Sequence, residues 1–410
     1  MTSHPTRRAA LAAAAGFGLS LDFVARQAFA ASEGAQGLRK LIVVICRGGM
    51  DGLSVAPPIG DPDYQGLRRA IALDDKALKL DGTFALHPSL ASAHALAQAG
   101  EARIVPAAAT PDRARSHFEA QDVLESGAAV VYGTSSGWLN RAVSSLSAQR
   151  KVEALSVGPT APLILRGPAA VSSWSPGKGV DASARLPTLL QDLYKDDPVL
   201  GPALARGLAT ETMAQAAMTS LSDGASMTAM APAASAQGLV RQGAEAARKL
   251  GTTVAGFMRE PGGPQIAVVG LDGFDTHANQ LGQLAPRLTY LDAVLDGLHT
   301  GLGAEWKNSV VLVATEFGRT ARVNGTGGTD HGTASTALLL GGALKPGGIV
   351  GDWPTLKSSA LFEARDLAPT VDMRGLFKGV LADQMGLDRR TLDTTVLPDS
   401  AAARPLTGLV

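Results

Sequence analysis

The chain has 410 residues, 37 basic and 37 acidic side chains, no formal net charge, and 45% hydrophobic residues. That composition describes a folded globular protein, and zero net charge argues against a whole-surface grip on nucleic acid, so no nucleic-acid partner is expected. The single cysteine, Cys46, excludes an intramolecular disulfide and a cysteine-rich zinc site.

In chain order, the first element is an address. Arg7 and Arg8 precede an Ala- and Gly-rich run from Ala9 to Leu21, and Ala28-Phe29-Ala30 reads as a small-x-small cleavage site. Residues 1–30 are therefore expected to be a signal peptide. The Arg pair points to the twin-arginine (Tat) route, with the Sec route as the alternative, and to a periplasmic or secreted protein. The apolar run is shorter than the about 20 residues a membrane span needs, and no later segment qualifies. Residues 1–30 carry three basic and one acidic side chain, so the remainder has a net charge of −2.

Leu41-Ile42-Val43-Val44-Ile45-Cys46 is a continuous apolar run, the pattern of a strand buried on both faces. Similar runs occupy 103–108, 154–158, 265–271, 310–315 and 337–341. Helical patterns lie between them at 88–98, 117–125, 138–148, 186–194, 279–302 and 367–381. This alternation predicts an α/β fold with helices on both faces of a sheet. The strandless stretch 200–257 reads as two long helices forming an insertion, a cap or an outer layer, with a loop near 220–237.

The chemistry-bearing residues follow the strand runs, where open α/β sheets bind ligands. The first run leads into Arg47-Gly48-Gly49-Met50-Asp51-Gly52, the run at 265–271 into Asp272-Gly273-Phe274-Asp275-Thr276-His277, and the run at 310–315 into Glu316-Phe317-Gly318-Arg319. A glycine-rich loop then carries Asp330-His331, and Ser116-His117 opens a helix after 103–108. Each piece has a plain structural role too: Asp51 as a turn residue, Ser116 as an N-cap, Glu316 and Arg319 as an ion pair. Together, His117, His277 and His331 with these carboxylates suit one site for zinc, manganese, magnesium or calcium.

These segments, with Gly60-Asp61-Pro62-Asp63-Tyr64, Leu86-His87-Pro88, Ser116-His117-Phe118-Glu119-Ala120-Gln121, Gly137-Trp138-Leu139-Asn140-Arg141 and Gly328-Thr329-Asp330-His331-Gly332, occur in an order that resembles a family. It is the exported, sulfatase-like bacterial family known as domain of unknown function 1501, in the alkaline-phosphatase superfamily. The resemblance runs from about residue 40 to about 380. It implies a three-layer α/β/α sandwich with a mainly parallel central sheet, one domain over 31–410 with the helical insertion at about 200–257. It also implies a divalent metal at the strand ends and hydrolysis of a phosphate or sulfate ester. By position, Asp51, Asp275, His277, Glu316, Asp330 and His331 would be metal residues, with Asp330 a ligand or a partner orienting His331. Ser116 would be the nucleophile, Arg319 or Arg47 would grip the oxyanion, and His117 would contact substrate. A second exported protein encoded nearby is an implied partner.

A conventional sulfatase would need Cys or Ser in a C/S-x-P-x-R context. Cys46 is followed by Arg47-Gly48, and the match Ser3-His4-Pro5-Thr6-Arg7 lies in the expected signal peptide. Gly133-Thr134-Ser135-Ser136-Gly137 fits a G-x-S-x-G elbow, so a serine esterase using Ser135 is one alternative function. A non-catalytic periplasmic binding or assembly module on the same fold is another. With 10 Phe, 4 Trp and 4 Tyr, an aromatic sugar or base platform is not expected, and no pocket signature names a substrate.

Overall fold

Strand β1, Lys40–Cys46, is buried along its whole length. Ile42, Val44 and Cys46 enter one hydrophobic core while Leu41, Val43 and Ile45 enter another. Both faces of β1 are therefore covered, which is why its sequence shows no polar alternation. The chain is described from a computed structural model, for residues 39–148, 152–158, 161–176, 190–191, 193–194, 197–222 and 236–410.

The other strands are β2 (Leu78–Lys79), β3 (Ala85–Leu86), β4 (Ala102–Ala109), β5 (Ala154–Val157), β6 (Ser172–Trp174), β7 (Ile266–Leu271), β8 (Ser309–Ala314), β9 (Ser335–Leu340) and β10 (Val371–Asp372). Apart from the β2–β3 ladder they form one eight-stranded sheet, ordered β10-β4-β9-β8-β1-β7-β5-β6. β1 lies between β7 and β8 and is parallel to both. β9 runs antiparallel to β8 and β4. The start of β9 therefore lies at the same end of the sheet as the ends of β1, β7 and β8.

The helices that matter here are α1 (Gly52–Val55), α2 (Tyr64–Arg68), α3 (Ala91–Gln98), α4 (His117–Ser126), α5 (Trp138–Ser147), α6 (Leu200–Ser222), α7 (Ala236–Arg259), α8 (Gln280–Leu302) and α9 (Met373–Val380). Residues of α3, α7 and α8 share a core with one face of β1, and residues of α4, α5 and α9 share a core with the other. The result is a three-layer α/β/α sandwich, with Lys40–Val410 as one compact unit. Ala247, Val254, Phe257 and Met258 of α7 are buried in the sheet core, so that helix belongs to the outer layer.

Two helix boundaries differ from expectation. α3 starts at Ala91 rather than 88, and the Asp292 carboxylate of α8 accepts from Ser92 N and Ala93 N at 3.0 Å each. α9 starts at Met373 rather than 367: Val371–Asp372 pairs with β4, and the Asp372 side chain then accepts from Arg374 N. Most of the expected helix at 186–194, most of the loop at 220–237 and residues 1–30 lie outside the described residues. Among the described residues, no helix is long and apolar enough to cross a membrane.

Candidate metal centre

The ends of β1, β7 and β8 are stitched together by short bonds. Thr315, just past β8, donates its hydroxyl to Cys46 O (2.6 Å) and accepts from Met50 N (2.9 Å). Gly48 N donates to Glu316 Oε1 at 2.8 Å. Gly48 has φ +113°, and a Cβ there would come within 2.5 Å of Asp275 N, so the β1 and β7 loops meet only because this residue is glycine. The glycine-rich loop before β9 is tied to the β7 exit through Asn279 N→Thr326 O, Gln280 N→Gly327 O and Thr329 N→Thr276 O.

These ties bring together His117, Asp275, His277 and His331. Asp275 Oδ1 lies 3.1 Å from His277 Nε2 and 3.2 Å from His331 Nε2, and Asp275 Oδ2 lies 3.3 Å from His117 Nε2. The Nε2 atoms of His277 and His331 are 3.0 Å apart. Ligand atoms of His117, Asp275 and His331 all fall within 4.8 Å of one another. Phe317 packs against two of the imidazoles, 4.9 Å from His117 and 4.8 Å from His331 between ring centres.

The opposite nitrogen of each ring faces an oxygen. His117 Nδ1 is 2.9 Å from Glu316 Oε1, His277 Nδ1 is 3.2 Å from Asp330 Oδ1, and His331 Nδ1 is 2.8 Å from the backbone carbonyl of Arg115. Carboxylates and carbonyls only accept, so each Nδ1 donates. In a neutral ring that leaves a lone pair on Nε2. Three such lone pairs therefore converge on one carboxylate. His117 Nε2 is buried with no hydrogen-bond partner, and the facing lone pairs of His277 and His331 repel unless a cation or proton lies between them. An N3O donor set of this kind, with each imidazole oriented from behind by an oxygen, fits a bound transition metal.

The charge states agree with this layout. Burial would raise the Asp275 carboxyl, but the hydrogen bond and charge of Arg319, with His277 and His331, outweigh it and hold it down to about 2. The hydrogen bond that His117 donates to Glu316 raises His117, while burial lowers His331. For Glu316, burial is outweighed by hydrogen bonds from His117, Gly48 and Gln121, so it stays ionised.

Several expected roles shift. Asp51 is buried in a separate network, where Arg68, Ser54 and Gln280 all donate to its Oδ2. It is the N-cap of α1 and does not face the histidines. Glu316 and Asp330 hold imidazoles rather than meeting Asp275, and Asp330 orients His277, not His331. Arg319 is buried, with Nη1 on Asp275 (2.6 Å) and Nη2 on Thr329 O (2.5 Å), so it positions the carboxylate instead of gripping substrate. His117 joins the donor set rather than standing apart as a substrate contact. Arg47 is one-quarter exposed, braced by Gln121 (3.0 Å) and Glu125 (2.5 Å). Ser116 is half-buried at the N-terminus of α4, and its side chain makes no capping bond. Ser135 is joined neither to Asp275 nor to His331; its neighbours Thr134 and Ser136 are held by Arg141.

Three site residues take roles that the sequence did not assign. Arg115, at φ +57°, presents its carbonyl to His331 and anchors its guanidinium on Asp366 (2.8 Å). Gln121 bridges Arg47 and Glu316. Glu125 is a buried carboxylate under Arg47. The i, i+4 spacing of His117 and Gln121 would have placed both on one helical face, but only the tertiary contact shows what they reach.

The chain belongs to the family described as protein of unknown function (DUF1501), matched over residues 38–396. No curated protein matches its sequence. Among solved structures it is similar to Ps i-CgsB (11% identity, 90% of this chain and 77% of that chain, TM-score 0.41). It is also similar to the lipoteichoic acid synthase LtaP from Listeria monocytogenes (11% identity, 89% and 76%, TM-score 0.35). A third is the C-terminal periplasmic domain of EcEptC from Escherichia coli in complex with Zn (9% identity, 74% and 72%, TM-score 0.32).

Proposed function

We propose that this protein is an exported, metal-dependent hydrolase of a phosphate or sulfate ester. The observation that carries the reading is the convergence of three imidazole Nε2 atoms on Asp275, each ring held from behind by an oxygen acceptor. Three nitrogens and one carboxylate favour zinc over manganese, magnesium and calcium, which prefer oxygen-rich shells. When bound, the cation supplies Lewis-acid polarisation of an ester oxygen.

The chain's own groups supply the rest. Ser116 sits where the first-turn N–H groups of α4, a ten-residue helix, have no partner within the helix. That end of the helix favours the equatorial oxyanions of a phosphoryl or sulfuryl group next to the Ser116 hydroxyl, which would act as nucleophile. Arg47, fixed in direction by Glu125 and Gln121, meets a further ester oxygen. Arg319 holds Asp275 ionised toward the imidazoles.

The test is elemental analysis of the purified protein, paired with a screen of phosphate monoesters, phosphodiesters and sulfate esters. We expect a stoichiometric divalent transition metal, lost in Asp275→Asn and His331→Ala, and metal-dependent turnover of one ester class. A metal-replete preparation that retains no metal would sink the reading. Stoichiometric metal without turnover would favour a binding or assembly module.

A further inference from the structure

Beside the imidazole cluster lies a cleft of about 640 Å3, lined by residues that include Arg47, Phe118, Gln121, Asp122, Tyr132 and Asp272. It shares a wall with the cluster, since Gln121 bonds both Arg47 and Glu316. Phe118 follows His117 directly. Phe118, Gln121 and Asp122 are spaced i, i+3 and i+4 on α4, so one helical face carries an aromatic ring, an amide and a carboxylate into the cleft.

Two rings stand out. Among the described residues, Phe118 (84%) and Tyr132 (75%) are the exposed aromatic side chains, and both line this one cleft. Single exposed apolar residues are ordinary, but two aromatic rings facing one concave site beside a reactive cluster are not. Tyr132 is also pinned: its N–H donates to Asp122 Oδ1 at 2.7 Å, which ties its loop to the helix that carries Phe118.

We propose that the cleft holds the sugar ring of an anionic carbohydrate ester, stacked on Phe118 and Tyr132, with the ester group reaching the imidazole cluster; this deepens the hydrolase reading and rests on it. A pyranose presents apolar C–H faces, which pack on aromatic planes, and an edge of hydroxyls, which need both donors and acceptors. Gln121, Asp122 and Asp272 supply that edge, and Arg47 and Arg166 supply positive charge for the anionic substituent. A lipid chain would desolvate Asp272 and the free oxygen of Asp122 and offer neither a hydrogen bond.

The test measures binding to the purified full chain by calorimetry. The probes are mono- and disaccharide sulfates and phosphates with gluco, galacto and manno rings, set beside 4-nitrophenyl and decyl sulfate and phosphate. At least one sugar ester should bind, and Phe118→Ala with Tyr132→Ala should weaken it about tenfold or more. Phe118→Trp with Tyr132→Phe should retain binding, and metal content and affinity for inorganic phosphate should not change in any variant. Both rings are solvent-facing, so these variants remove no core contact. The proposal is overturned if no sugar ester binds the wild type, if the double alanine variant binds as the wild type does, or if a decyl or nitrophenyl ester binds more tightly with the same ring dependence. Ring-dependent sugar binding by a protein that holds no metal would uphold the cleft and overturn only the hydrolase reading.

Discussion

Arg319 Nη1 lies 2.6 Å from Asp275 Oδ1, with the arginine side chain fully buried and the carboxylate 41% exposed. The guanidinium thus approaches from inside the fold and presses an ionised carboxylate outward to the imidazoles. Arg319→Met should destabilise the protein by roughly 1–3 kcal/mol, below the 3–5 kcal/mol of a pair buried on both sides, because water reaches Asp275 and screens part of the loss. Urea unfolding reads this directly, and an unchanged midpoint would contradict it.

Glu316 and Asp330 orient His117 and His277 without touching the shared carboxylate. Substituting either by its amide keeps the shape and removes the charge that raises imidazole basicity. Glu316→Gln and Asp330→Asn should each lower metal affinity about 10–100-fold while leaving the stoichiometry intact. Chelator competition measures it, and wild-type affinity in Glu316→Gln would show that the buried carboxylate is only a packing group.

Ser116 separates capping from catalysis. An N-cap serine replaced by alanine ordinarily costs about 1 kcal/mol through its side-chain bond, a bond that Ser116 does not make. Ser116→Ala should therefore leave stability nearly unchanged, keep the metal, and abolish turnover of whichever ester the screen finds. Full turnover in this variant would remove Ser116 from the mechanism.

His87 predicts an acid sensitivity away from the cluster. Burial lowers its pKa to about 4, and Ser89 N donates to His87 Nδ1 at 3.0 Å, which requires a neutral ring. The unfolded chain takes up the proton near the ordinary histidine value, above the folded one. This contribution to stability is therefore complete at neutral pH and is lost as pH falls from about 6.5 toward 4, by roughly 3 kcal/mol if the whole shift is expressed. His87→Gln should flatten the dependence of the urea midpoint on pH in that window; an equally steep profile would assign the loss to other groups.

The proposed export rests on Arg7 and Arg8. Replacing both by lysine keeps the charge but removes the pair that the Tat route reads, so the precursor should accumulate in the cytoplasm. Normal export of the double lysine form, followed by fractionation and blotting, would point to Sec.

The strands and the chemistry of the site were legible in the sequence, because both are local. Burial on two faces makes β1, β7 and β8 continuous apolar runs, and the donors sit where those runs stop. The partition of roles was not legible, since it depends on which atoms face each other across the sheet. β1 lies between β7 and β8, so Gly48, Asp275 and Glu316 become neighbours across more than two hundred residues of chain, a fact of strand order. The reversed direction of β9 brings His331 to the same end from the opposite side, and the strained carbonyl of Arg115 then turns its ring. Asp51 and His117 exchange their expected places for the same reason. The buried Arg68 claims the first, and Glu316 turns the second toward Asp275. Residue types and their spacing along the chain determined that a polar centre forms at the strand ends; the packing of loops against one another decided which side chains enter it.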